Sequence, residues 1–129
     1  MPRLSITTTH ERLMKNAYLL AIPVVLMTAA PAFGADVEKG KATYAQRCAM
    51  CHGDKGAGDG PLAATMPEGQ KPRNLTAGGN KYATDDAKLA EILEKGGAAV
   101  GLSPLMPPQP DLKGNDLADL IAFVKSLKK

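Results

Sequence analysis

Cys48, Ala49, Met50, Cys51 and His52 form the stretch that most limits what this chain can become. Two cysteines three apart, with a histidine following at once, read as a covalent haem attachment site. Each thiol adds across one haem vinyl group, and two intervening residues let the chain span both attachment points. The next residue then lies under the iron, where an imidazole nitrogen can ligate it. Other chemistries fit less well. A thioredoxin-type redox pair wants a βαβ context, which is absent. A zinc site wants about four ligands, and the only other His or Cys is His10, in a segment expected to be removed. A plain disulfide leaves the adjacent His52 unexplained.

The size of the chain makes a cofactor useful. With 129 residues, no Trp and 4% aromatics, it would bury only a thin core by itself. One domain is expected, with haem supplying the missing apolar volume. Residues 1–34 read as a secretory signal. Arg12 and Lys15 precede an apolar run over residues 17–30, interrupted by Pro23 and Thr28. That run is shorter than the about 20 residues of a membrane span. Ala32, Phe33 and Gly34 fit a small-x-small cleavage pattern, with Ala35 as the first mature residue. Cleavage after Ala35 is the near alternative, and an uncleaved membrane anchor is the other reading. Met14, Lys15 and Asn16 ahead of the apolar run would already make a complete signal, so Met14 is a candidate true start.

Three of the 16 basic residues and one of the 13 acidic ones lie in this leader, leaving a net charge of +1 on residues 35–129. No basic stripe with interleaved aromatics appears, so nucleic acid is not an expected partner.

The first mature element is a helix over 37–47, with Asp36 as N-cap and Glu38 at the positive end of its dipole. Gly40 inside it costs about 1 kcal/mol of propensity, which suggests that another backbone comes close there. Residues 53–61 form a glycine-rich turn ending at Pro61, read as a loop wrapping the His52 edge of the haem. The Pro61 carbonyl is a candidate acceptor for the second ring nitrogen of His52, fixing its tautomer. Residues 62–82 read as irregular, with Pro67, Gly69, Pro72, Gly78 and Gly79 as breakers. Arg73, Asn74, Lys81 and Tyr82 are candidate partners for the haem propionates.

A second helix is expected over 85–95, capped by Thr84 or Asp85 and stopped by Gly96 and Gly97, with Leu89, Ile92 and Leu93 as its apolar stripe. The last helix is expected over 115–127. Leu117, Leu120, Ile121, Val124 and Leu127 recur in it at helical steps, and Phe123 sits on a neighbouring stripe.

Between these helices, Met106 is followed by Pro107 and Pro108. Prolines stiffen a backbone, and a weakly binding thioether gains when its backbone is already held in place. Met106 is therefore the preferred distal iron ligand. Met50 is anchored on the His52 side; Met66 is the rival, but it follows His52 by only 14 residues, most of them used by the glycine-rich turn, whereas Met106 follows by 54.

Taken together, these residues resemble a class I c-type cytochrome. Gly40 and Tyr44 stand where that family has a glycine and an aromatic on its first helix. Leu120, Ile121, Ala122 and Phe123 resemble its last-helix signature, Gly60-Pro61 its Gly-Pro after the haem motif, and Met106 its distal ligand. The resemblance implies an all-α fold of three main helices around one haem c, held through Cys48 and Cys51, with the last helix seated on Gly40. It implies a secreted, periplasmic, monomeric electron carrier rather than an enzyme. Its partners would be redox proteins, including membrane oxidoreductases met transiently. A missing Trp near the propionates and Lys113 at the usual Ser/Thr cap position are departures, the latter allowing the last helix to start at Gly114 or Asn115. Two other readings stay open: a haem enzyme or gas sensor with an open iron position, and a membrane-tethered subunit of a larger oxidoreductase.

Overall fold

The computed structural model describes residues 34–77 and 81–129. Apart from Gly34, the expected leader with its Met14 start lies outside them, as do Gly78 and Gly79. Among the described residues five α-helices follow in order: α1 (Val37–Arg47), α2 (Ala49–His52), α3 (Lys81–Thr84), α4 (Asp86–Lys95) and α5 (Gly114–Ser126). Single 3₁₀ turns occur at Ala63–Thr65 and Ala98–Val100, and there is no strand among the described residues. None of the described helices is long and apolar enough to cross a membrane.

The three long helices, α1, α4 and α5, enclose the core. Asp36 caps α1 by accepting from the backbone N–H groups of Glu38 and Lys39, both at 3.1 Å. Its own N–H donates to the buried Asp119 carboxylate at 2.6 Å, tying the start of α1 to α5. The two helices meet backbone to backbone at Gly40. A Cβ there would lie 2.0 Å from the Asp119 carbonyl oxygen. Tyr44, one turn along α1, and Leu120, beside Asp119, are the largest fully buried side chains. Phe123 packs on Tyr44 with ring centroids 5.1 Å apart and planes tilted by 56°. This contact makes Phe123 more buried than Ile121 or Leu127, although the apolar stripe alone put it to one side.

α4 begins where a side chain can start it. Asp85 is extended and accepts from the Lys88 N–H at 3.1 Å. Gly96, at φ +79°, ends the helix. The irregular segment expected to reach residue 82 already turns helical at Lys81, as α3. The extended Asp85 separates α3 from α4, which is why the two do not run together. α5 starts at Gly114, with Lys113 offering no side-chain cap.

Candidate functional site

Helix α1 runs into the Cys-x-x-Cys-His motif, and the motif makes its own turn. Cys48 joins the two helices at φ −117° and ψ −35°, still in the right-handed helical region, α2 carries Cys51 and His52, and Gly53 at φ +79° turns the chain away. Both thiols are free and half-buried. Burial pushes the Cys48 thiol up to about 11. Tyr44, buried on α1, donates its hydroxyl to the Gly53 carbonyl at 2.8 Å and so pins the turn that presents His52. Burial holds this hydroxyl far above its ordinary range.

His52 Nδ1 lies 3.2 Å from the carbonyl oxygen of Arg73. A carbonyl can only accept, so Nδ1 carries the proton and Nε2 keeps its lone pair. Burial lowers the His52 pKa and outweighs the opposing effect of that hydrogen bond. The ring is thus held neutral, in the tautomer a metal ligand needs.

The expected acceptor for this nitrogen, Pro61, is a correction. The Gly60 N–H donates to the Cys51 carbonyl and the Leu62 N–H to the Met50 carbonyl. A Cβ on Gly60 would meet the Met50 and Ala49 carbonyl oxygens at 2.5 and 2.6 Å. The Gly-Pro step therefore packs against the backbone of the motif and not beside its imidazole. Pro61 borders a separate shallow hollow with Met50. The glycine-rich turn instead docks on the next loop, through the Leu75 N–H to the Gly56 carbonyl at 2.7 Å, and this brings Arg73 to the ring.

Cys48, Cys51 and His52 open onto a cleft holding about 1040 Å³ of space free of protein atoms, part of it open to solvent. Its lining draws on α1, α2, α4, α5 and the loops between them, which suits a large group. Its walls are apolar: Leu75, Leu89, Ile92, Leu93, Leu120 and Val124 face it. Met106 lines it from the loop after α4, and Met66 lines it too. Met50 does not, and is 55% exposed. Arg73 and Tyr82 line the cleft, whereas Asn74 and Lys81 do not. Asn74 accepts from the N–H and hydroxyl of Thr76, and the Lys81 ammonium sits 5.3 Å from the Tyr82 ring centroid.

The cleft also takes in Arg47, Gln70, Ser103 and Gln109, which sequence reasoning did not single out. Only the position of Arg47 next to Cys48 could have drawn notice.

Two free thiols, a neutral imidazole and a thioether around one apolar cleft make a donor set that fits haem. A family model for cytochrome c matches residues 37–128. The chain belongs to the cytochrome c family. It is a class I, monohaem member, carrying haem c through Cys48 and Cys51, and electron transfer is its general role. The cytochrome is also similar to the cbb3-type cytochrome c oxidase subunit CcoP of Azospirillum brasilense, 39% identical over 66 residues. That alignment covers 51% of this cytochrome and 21% of the oxidase subunit, so the chain spans about a fifth of that relative. No solved structure matches it.

Proposed function

We propose that this cytochrome is a periplasmic single-electron carrier, with His52 and Met106 as axial ligands and redox proteins as donor and acceptor. The observation that carries the reading is the cleft, lined by His52 from α2 and by Met106 from the loop after α4. Bound haem supplies the one-electron couple. The chain supplies orientation, burial and ligand choice. Cys48 and Cys51 fix the group covalently, and the Arg73 carbonyl keeps His52 Nε2 available. Apolar walls exclude water, and Arg73 and Tyr82 are the polar partners offered to the propionates.

Met106 is preferred to Met66 because its backbone is held on both sides. Its N–H donates to the Ser103 carbonyl at 3.2 Å, and its carbonyl accepts from the Gly97 N–H at 3.0 Å. Thioether ligation favours ferrous iron and a raised potential. Were His52 and Met106 both to hold the iron, no position would remain for substrate, which supports a carrier in preference to an enzyme. Near-neutral charge suits brief contacts made by a monomer with membrane oxidoreductases. The leader over 1–34 would direct export.

A second reading is favoured by the resemblance to CcoP: the same haem domain held at a membrane as a subunit of a larger oxidoreductase. The N-terminal mass of the purified protein separates the two, because the carrier begins near Ala35. The ligand assignment is tested by Met106→Ala. That variant should lose the weak far-red sulfur-to-iron absorption band, lower the potential and admit carbon monoxide, while Met66→Ala does none of these. Wild-type ferrous protein that already binds carbon monoxide readily would replace the carrier reading with a sensor or enzyme having an open iron position.

A further inference from the structure

The segment that follows Met106 is poor in backbone donors. Pro107, Pro108 and Pro110 lack an N–H, so three of the four residues from 107 to 110 cannot donate from the main chain. The exception is the Gln109 N–H, which donates to the Leu93 carbonyl at 2.6 Å and joins the segment to α4. On the opposite side the segment is held by side chains. Arg47, the last residue of α1, sends Nη1 to Gln109 Oε1 at 3.0 Å and to Asp111 Oδ1 at 3.0 Å. Its Nη2 meets Asp111 Oδ2 at 2.6 Å. One planar fork thus serves three acceptors, a geometry that Lys cannot reproduce. Arg47 adjoins Cys48, and both Arg47 and Gln109 line the cleft that holds Met106.

We propose that Arg47, through Asp111 and Gln109, is a positioning residue for the distal ligand: it clamps the 107–111 segment to the haem-bearing end of α1 and so holds Met106 against the cleft. The inference rests on the reading of Met106 as iron ligand. The clamp is half exposed, with 36% of the Arg47 side chain and 61% of the Asp111 side chain accessible. Exposed ion pairs add little to global stability. A weak thioether bond is more sensitive, because it competes with any outside ligand whenever the loop swings away. The clamp should therefore show in ligand exchange much more than in melting temperature.

The test uses ferric holoprotein and imidazole as the competing ligand. Asp111→Ala, remote from the attachment motif, should bind imidazole about tenfold tighter, mid-range for directly coupled residues, and should weaken the far-red sulfur-to-iron band. Arg47→Gln should do the same, and the double variant should gain no more than either single change. Glu91→Gln, which breaks the exposed ion pair with Lys95 on α4, is the control and should change neither readout. Should Arg47→Gln fail to attach haem, Gln109→Ala and Asp111→Ala still decide the matter. Unchanged imidazole affinity in Asp111→Ala, or strictly additive effects in the double variant, overturns the clamp while leaving Met106 as ligand. A wild type that lacks the far-red band overturns both readings.

Discussion

At Gly40 two energies of opposite sign can be compared directly. Replacing a helix glycine by alanine ordinarily gains about 1 kcal/mol. Here the added Cβ would sit 2.0 Å from the Asp119 carbonyl oxygen and 3.0 Å from the Leu120 nitrogen. These are backbone atoms of α5, which cannot rotate aside. Separating the helices loosens Tyr44, Leu120 and Phe123 together. Gly40→Ala should therefore destabilise by about 1–3 kcal/mol, the usual scale of overpacking, and Gly40→Val by more. Thermal unfolding checks it: the melting temperature should fall by roughly 4–8 °C per kcal/mol. An unchanged or raised value for Gly40→Ala would show that the crossing can yield. The need for a close approach was legible in the sequence, because Gly40 interrupts a sound helical pattern. Its partner was legible only through the family resemblance, since spacing within α1 says nothing about α5.

Two carboxylates set how the elements respond to acid. Asp85 sits below the usual carboxylate range because the backbone N–H of Lys88 donates to it at the start of α4. Asp111 sits below it because the Arg47 guanidinium hydrogen-bonds it. Both folded pKa values lie under the ordinary aspartate value of 3.8. Their stabilisation is thus complete above that unfolded value and is lost as pH falls through the lower folded values. Denaturant midpoints of the holoprotein should be flat from about pH 7 to about pH 5, then decline below about pH 4. Asp85→Asn keeps a capping oxygen but cannot titrate, so it should flatten the acid limb. Equal acid slopes in Asp85→Asn and wild type would remove the cap from this account. The helix starts themselves were readable because caps act within three residues. The short α3 was not, because its residues carry no apolar period long enough to announce a helix.

For the whole molecule the cleft is the dominant fact. The core is thin: Tyr44, Leu89, Ile92, Leu93, Leu120, Phe123 and Val124 carry most of it, and most of them face the cleft. Much of their apolar surface faces the cleft and not another helix. Left to water, those faces would forfeit apolar burial, the dominant favourable contribution to the about 5–15 kcal/mol that holds a typical domain together. The double variant Cys48→Ala with Cys51→Ala, purified without haem, should lose its sharp thermal transition. It should also bind a dye that reports exposed apolar surface. A cooperative transition matching the holoprotein would show that the helices hold without the group they enclose.

The chemistry of attachment, the three long helices and the Asp36 cap of α1 were legible in the sequence itself. Each depends on atoms only a few residues apart: two thiols and an imidazole within five positions, a 3.6-residue period, an Asp three residues before the N–H it accepts from. What the tertiary structure alone decided lies further along the chain. The acceptor for His52 Nδ1 is Arg73, 21 residues away, and not Pro61, because the glycine-rich turn folds under the motif's backbone. The partner of Arg47 is Asp111, 64 residues away. In each case the deciding quantity is where a returning loop or helix stops, and no local period or spacing in the chain encodes that distance.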